Sequence, residues 1–130
     1  MIVVDASALI EVLLNTPSGY RITQRLFDEQ ETLHVPCLLD IEVAQVLRRY
    51  ALAGELNATR GLQAIEDLSD FPLIRYPHDL FLSRIWELRH NVTAYDAAYI
   101  ALAEALDAPL LTCDARLASA AGHNAIVEFI

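Results

Sequence analysis

Four acidic side chains occur where their surroundings favour a shared site over a solvated surface. Asp5 ends the apolar run MIVVD and Asp114 follows PLLT, so each comes where a predicted strand gives way to a helix. Glu42 borders the apolar face of a predicted helix, and Asp96 interrupts a helix that is apolar on nearly every side. Carboxylates gathered in one crevice repel each other at neutral pH unless a cation offsets their charge. The set therefore predicts a site for a hard divalent cation, Mg²⁺ or Mn²⁺.

A divalent cation held by carboxylates indicates hydrolysis of phosphodiester bonds. Mg²⁺ keeps several water ligands and is often held by one or two carboxylates together with a substrate phosphate. One metal ion positions and deprotonates the attacking water, and a second stabilises the leaving oxygen. The sequence leaves the number of metal ions open.

Each acid also has a purely structural interpretation. Asp5 and Asp114 precede predicted helices, where an aspartate can accept hydrogen bonds from free backbone N–H groups. Asp96 lies three residues after Thr93 and fits a first-turn acid that interacts with the helix dipole. Glu42 fits an ordinary solvated residue of a helix. These alternatives stay open for each acid taken singly.

Strands and helices alternate along the chain, which predicts an α/β fold with a mostly parallel central sheet and helices on both faces. The predicted strands are Met1–Asp5, Thr32–Val35, Pro72–Pro77, Pro109–Thr112 and Ile126–Ile130. The helical predictions include one from Tyr20 to Glu29, after a break at Thr16–Gly19, and one amphipathic helix over Asp79–His90. Sites in such sheets lie at the carboxyl ends of the strands, near a switch in strand order, so Asp5 and Asp114 are expected to share one crevice.

The charge balance limits the partners that the chain can bind. The net charge is −9, from 9 basic and 18 acidic residues, and every basic residue is arginine. This balance argues against tight non-specific nucleic-acid binding, which depends on many Lys and Arg contacts to phosphate. Phosphate chemistry would therefore need bound cations, and an acidic surface suits a basic protein partner.

Length and composition predict a single domain over residues 1–130. A chain of 130 residues with 55% hydrophobic content has enough apolar surface for one core. The two cysteines, Cys37 and Cys113, have no spacing typical of a disulfide framework or a zinc site. No signal peptide or membrane span is visible, so we expect a cytoplasmic protein.

Four segments in order resemble the PIN-domain family, and specifically its VapC-type toxin branch. They are MIVVDASALIEVLL with Asp-x-Ser, LDIEVAQVLRR with the helical Glu, TAYDAAYIALAEAL with Tyr-Asp-x-x-Tyr-x-x-Leu-Ala, and LLTCDARLA with Thr-x-Asp-x-Arg-Leu. Each motif is weak alone, but their order and approximate spacing match over essentially the whole chain.

The resemblance implies a PIN-like three-layer sandwich and a metal-dependent endoribonuclease that is the toxin of a toxin–antitoxin pair. The family's catalytic and metal-binding acids fall on Asp5, Glu42, Asp96 and Asp114. Ser7 and Thr112 match hydroxyl positions that support those acids, although a helix cap and a strand-end packing residue explain them equally well. The implied partners are an RNA substrate, a basic antitoxin and a second copy of the chain in a homodimer.

Other functions fit parts of the pattern. A catalytically inactive PIN-like binding module would keep the fold, but a degenerate member would be expected to have lost at least one acid. A haloacid-dehalogenase-like phosphatase needs a second Asp where this chain has Ser7, and a receiver domain needs a lysine, which this chain lacks. Arg116 fits a phosphate contact and an ion pair with a nearby acid equally well.

Overall fold

The computed structural model describes residues 1–27 and 30–130 as alternating strands and helices around one sheet. The strands in this part of the chain are Ile2–Val4 (β1), Leu33–Pro36 (β2), Leu73–Tyr76 (β3), Leu110–Thr112 (β4) and Val127–Phe129 (β5). The α-helices are Ala6–Leu13 (α1), Pro17–Phe27 (α2), Leu39–Leu52 (α3), Ala58–Asp70 (α4), Leu82–Glu87 (α5), Ala94–Leu106 (α6) and Ala115–Ala118 (α7).

The strands pair in the order β3-β2-β1-β4-β5, and every pairing among them is parallel. The predicted α/β fold with a mostly parallel sheet is thus confirmed. Successive strands are added on one side of β1 as far as β3, and β4 then starts the other side, so the switch in strand order lies between β1 and β4. A crevice at the carboxyl ends of strands β1 and β4 is the expected position of a site in such a sheet.

Strand β1 lies at the centre of the core. Ile2, Val3 and Val4 are each 0% exposed, and because successive side chains of a strand point to opposite faces, both faces of the sheet are covered here. Helix α6 packs against β1, β2 and β4. Its residues Ala97–Ala103 are all buried, as the apolar pattern predicted, and its alanines permit close approach to the sheet.

Helix α2 begins earlier than predicted, because the stretch Thr16–Gly19 starts a helix and does not break one. The hydroxyl of Thr16 accepts a hydrogen bond from the Gly19 N–H at 2.9 Å, and Pro17 occupies the first helical position, where its missing N–H costs nothing. A Cβ at Gly19 would lie 2.0 Å from the carbonyl oxygen of Glu11, so glycine lets α2 pack directly on α1. The predicted end of this helix at Asp28 and Glu29 lies outside the described residues.

Two further predictions were wrong in detail. The segment Pro72–Pro77 has the length of a buried strand, which predicts burial, but β3 is a partly exposed edge strand with Ile74 46% exposed, since nothing within the described residues pairs with its outer side. The amphipathic helix predicted over Asp79–His90 is a 3₁₀ turn, His78–Phe81, followed by the short helix α5. No helix within residues 1–27 and 30–130 has the length and apolar character needed to cross a membrane.

Candidate active site

The four acids singled out in the sequence line one cavity of about 630 Å³. Asp5 follows β1 and Asp114 follows β4, so these two meet at the switch in strand order, as predicted. Glu42 reaches the cavity from the first turn of α3, and Asp96 from the first turn of α6. Elements distant in sequence thus bring all four side chains to one edge of the sheet.

Asp5 is held in place by the hydroxyl groups of Ser7 and Thr112, the two residues that match supporting hydroxyl positions in the family resemblance. It is 5% exposed, and its Oδ2 accepts hydrogen bonds from the Ser7 hydroxyl at 2.5 Å and the Thr112 hydroxyl at 2.8 Å. In turn, Ser7 Oγ accepts from the Cys113 N–H at 3.0 Å, and Thr112 Oγ1 accepts from the Asp114 N–H at 2.9 Å. The same two hydroxyls therefore hold the carboxylate of β1 and the loop that follows β4.

The helix-cap interpretation of Asp5 is not supported by this geometry. Asp5 occupies the N-cap position of α1, but its side chain makes no capping hydrogen bond. Burial raises the pKa of Asp5, and the hydrogen bonds from Ser7 and Thr112 offset part of that rise. The fold thus keeps a buried carboxylate that is held mainly by two side-chain hydroxyl groups.

Glu42 lies in the same cavity as Asp5 and is held by a residue of α6. The hydroxyl of Tyr99 donates a hydrogen bond to Glu42 Oε1 at 3.0 Å, and Tyr99 itself is 0% exposed. Burial raises the pKa of Glu42 to about 7; the Tyr99 hydrogen bond lowers it, and the charges of Asp5 and Asp96 add to the rise. Glu42 is therefore not the solvated surface residue of the alternative interpretation.

Asp96 and Asp114 differ from each other in how they are held. Thr93 caps α6 by accepting a hydrogen bond from the Asp96 N–H at 3.2 Å, which leaves the Asp96 carboxylate to line the cavity. Burial raises the pKa of Asp96, the charges of Asp5 and Asp114 raise it further, and Arg116 lowers it. Asp114 does act as a cap, because its Oδ1 accepts from the Arg116 N–H at 2.8 Å.

The donor set of the cavity fits a hard divalent cation. All four acidic side chains offer oxygen atoms, which Mg²⁺ and Mn²⁺ prefer. Burial raises the pKa of Asp5, Glu42 and Asp96, and the charges of neighbouring acids raise the pKa of Glu42 and Asp96 further. A cation would relieve that repulsion. Within the described residues, no group of three or more His, Cys, Asp or Glu side chains forms a ready coordination shell. The cavity is compatible with Mg²⁺ held by one or two carboxylates and several waters.

The sequence assigns Tyr99 no role in the site, because a tyrosine on a helix that is apolar on nearly every side is more often a core or interface residue. It is a core residue, but its hydroxyl group extends from the core to Glu42. The signal was the spacing Asp96-x-x-Tyr99, because residues three apart lie on the same face of a helix. If Asp96 faces the site, Tyr99 must face it as well.

Comparison with known proteins identifies the sequence family. The model of the PIN domain family matches residues 2–123. Ribonuclease VapC12 of Mycobacterium tuberculosis is 41% identical over 130 residues, which cover 100% of this chain and 99% of that protein. Ribonuclease VapC9 of the same organism is 45% identical over 117 residues, covering 90% of this chain and 88% of that protein.

The fold is also found in a solved structure. The crystal structure of PAE2754 from Pyrobaculum aerophilum superimposes with a TM-score of 0.69 at 25% sequence identity, covering 97% of this chain and 87% of that one. The strand order, the acids at the switch point and the relatives matched over nearly their full length all agree. This chain belongs to the PIN-domain family and, within it, to the VapC branch.

Proposed function

We propose that the chain is a divalent-metal-dependent endoribonuclease that acts as the toxin of a toxin–antitoxin pair, with residues 1–130 as its single PIN domain. Its VapC relatives are named ribonucleases and are matched over most of their length. The observation that carries the proposal is the meeting of four carboxylates in one cavity at the switch in strand order.

In this proposal Asp5, Glu42, Asp96 and Asp114 hold Mg²⁺ or Mn²⁺ and are the catalytic residues. When bound, the cation supplies a Lewis acid for the scissile phosphate and lowers the pKa of water. Asp5 is oriented by Ser7 and Thr112, and Glu42 by Tyr99, so these carboxylates keep their positions without an ion. Asp114 stays in place through its cap on α7.

The haloacid-dehalogenase-like alternative has little support in the geometry. A phosphatase of that kind would place a second aspartate two residues after the first, but here that position is Ser7. The Ser7 hydroxyl donates to Asp5 and accepts from the Cys113 N–H, so it orients the carboxylate and the neighbouring loop. The inactive binding module is distinguished only by an activity measurement.

The test combines cleavage of RNA with thermal stability. Purified protein is expected to cut single-stranded RNA in Mn²⁺ and not in EDTA, and Asp96→Asn is expected to lose cleavage. Mn²⁺ at a hundredfold excess over its Kd should stabilise the wild type by about 2.7 kcal/mol and Asp96→Asn much less. Asp107→Asn, an exposed change at the other end of α6, is the matched control and should respond as wild type. Undiminished cleavage in EDTA, or equal metal shifts in wild type and Asp96→Asn, would refute the metal site.

The proposed protein partners are a basic antitoxin and a second copy of this chain. The net charge of −9 supports a basic partner, since opposite charges accelerate association. Association with the antitoxin should slow as salt rises, because exposed charges are screened beyond about 8 Å at physiological ionic strength. A salt-independent association rate would contradict this, and light scattering on the purified chain tests the homodimer.

A further inference from the structure

A second cavity adjoins the acidic one and has the opposite charge. It measures about 450 Å³ and shares Thr93, Asp96 and Arg116 with the cavity of the four acids. Its outer wall includes Arg89 from the segment between α5 and α6. The two cavities are therefore parts of one cleft, in which the four acids line one part, Arg89 lines the other and Arg116 lies where the two parts meet.

Among the described residues, these two are the arginines that line the cleft, and neither guanidinium is hydrogen-bonded to a carboxylate, in contrast to Arg75 and Arg84. Arg75 binds Asp40 through two hydrogen bonds of 2.8 and 2.9 Å, and Arg84 binds Glu104 through two of the same lengths. Arg116 is 91% exposed, and its guanidinium lies 3.8 Å from Asp114 Oδ2, too far for a hydrogen bond.

Arg89 has no carboxylate partner in the part of the chain that the structure describes. Its guanidinium carbon lies 4.8 Å from the centre of the Trp86 ring, and its Nη1 donates to the Trp86 carbonyl oxygen at 3.0 Å. Both contacts orient the guanidinium without neutralising it. Arg89 is thus positioned and still available to an anion.

We propose that the cavity between Arg89 and Arg116 is a subsite for backbone phosphates of single-stranded RNA, next to the phosphodiester bond that lies over the four acids. The inference rests on the proposed function, since it takes RNA as the substrate of the adjoining cavity. A strand whose scissile phosphate lies at the acids must continue along the cleft, and this cavity opens from the same cleft. The Asp96 carboxylate separates the two parts and repels phosphate from the boundary.

The subsite resolves a difficulty raised by the composition. A chain with net charge −9 repels a polyanion over most of its surface, so its arginines must act locally to bind RNA. Contacts to phosphate fix the register of a strand without reading its sequence. Arg89 and Arg116 would therefore set the position and affinity of the RNA but not its base preference.

The experiment measures binding of a short fluorescein-labelled single-stranded RNA by anisotropy in EDTA, at several salt concentrations. The proteins compared are the wild type, Arg89→Gln, Arg116→Gln and the double variant. Arg48→Gln is the matched control, since it removes one charge from an exposed position on α3 that lines neither cavity. Thermal melts check that each variant is folded, and the single variants keep the test valid if the double variant unfolds.

We expect the double variant to raise Kd on the order of tenfold, and each single change to lower the slope of log K against log salt by about 0.7. The control removes charge without a phosphate contact and should leave the slope unchanged. The subsite would be overturned if Arg89→Gln and Arg116→Gln had the same Kd and the same salt slope as Arg48→Gln. Displacement of RNA by micromolar inorganic phosphate at constant ionic strength would indicate a free-phosphate site and would also overturn it.

Cleavage kinetics in Mn²⁺ separate this inference from the proposed function. Loss of uniform binding raises KM without lowering kcat, so Arg89→Gln, at a residue that does not line the cavity of the four acids, should show its defect in KM. Wild-type protein that binds RNA through these arginines but does not cut it would refute the proposed function and leave the subsite. Wild-type cleavage together with an unchanged KM in Arg89→Gln would refute the subsite and leave the function.

Discussion

Glu42 and Glu104 are both partly buried glutamates on helices, but the fold treats their charges in opposite ways. Glu104 accepts two hydrogen bonds from Arg84, at 2.8 and 2.9 Å, and one from the Asn124 N–H at 2.9 Å. The hydrogen bond from Arg84 is the main cause that lowers the pKa of Glu104. Glu42 has only the neutral Tyr99 hydroxyl as its partner among the described residues, and its pKa is raised to about 7.

The difference separates a structural carboxylate from a functional one. The ion pair of Glu104 joins α5, α6 and the segment before β5, so its charge contributes to the fold. Glu42 is held near Asp5 and Asp96, which disfavour its charge, so the fold gains nothing from keeping it ionised. A carboxyl group that the fold holds where its ionised form is disfavoured is a candidate for binding a cation.

The largest expected effect comes from Glu42→Gln. RNA cleavage in Mn²⁺ should fall by a factor on the order of 100 or more, since an interaction specific to the transition state is removed. The free energy of unfolding in EDTA should stay the same or rise, because a repelled charge is removed. Cleavage assays and urea denaturation measure the two effects. A variant that loses stability and keeps its activity would make Glu42 a structural residue like Glu104.

Glu104→Gln should produce the opposite pair of results. Loss of the hydrogen-bonded ion pair to Arg84 should lower the free energy of unfolding by about 1 to 2 kcal/mol, while the folded protein keeps its cleavage rate. Glu87→Gln is the matched control, because Glu87 contacts the same arginine at 3.0 Å but is 63% exposed, and such pairs contribute little. Equal urea midpoints for Glu104→Gln and Glu87→Gln would show that Glu104 contributes no more to stability than the exposed Glu87.

Tyr99→Phe tests the link between core and site. Phenylalanine keeps the buried ring and removes the donor to Glu42, which should cost about 1 kcal/mol of stability. If the hydroxyl positions Glu42, the Mn²⁺ concentration needed for half-maximal cleavage should rise several-fold. Tyr20→Phe, at a 68% exposed position on α2 that does not line the cavity of the four acids, is the control. A stability loss without a change in the metal requirement would reduce Tyr99 to a packing residue.

The smallest expected effect is in the pH dependence of unfolding in EDTA. The ordinary pKa of glutamate is 4.5, and the folded-state pKa of Glu42 is about 7, so stability from this group falls as pH rises between those values. The folded-state pKa of Glu104 is lowered, so its contribution is present above 4.5 and is lost as pH falls through the folded value. Urea midpoints across pH should therefore flatten above 4.5 in Glu42→Gln and below it in Glu104→Gln. If the urea midpoints of both variants and the wild type changed with pH in the same way, Glu42 and Glu104 would not differ in how their charges affect stability.

The alternation of strands and helices, and the meeting of Asp5 and Asp114, were predicted from the sequence more accurately than the bounds of the helices. Asp5 and Asp114 could be placed together because the ends of parallel strands meet at one edge, a rule that needs only the alternation of elements. Helix α6 was predicted as buried because its apolar residues leave no polar face. The start of α2 was missed because Pro17 reads as a breaker unless Thr16 is known to cap it.

Other features depended on tertiary contacts that no local pattern contains. The exposure of Ile74 follows from β3 being at the sheet edge, which strand composition does not encode. The hydrogen bond from Tyr99 to Glu42 joins residues 57 positions apart and depends on how α3 and α6 pack. The arginine-lined cavity arises from the segment before α6 and from α7, which are also distant in sequence.

The hydrogen bond from Thr112 to Asp5 spans 107 residues and has a consequence for biosynthesis. A nascent chain carries Asp5 and Glu42 early, but it lacks the strand that completes the cleft until β4 has left the ribosome. At about 5 to 20 residues per second, that interval lasts on the order of ten seconds. Every nascent copy that has not yet formed β4 is therefore without the assembled acidic cleft, so the proposed activity can begin only after that strand has been made.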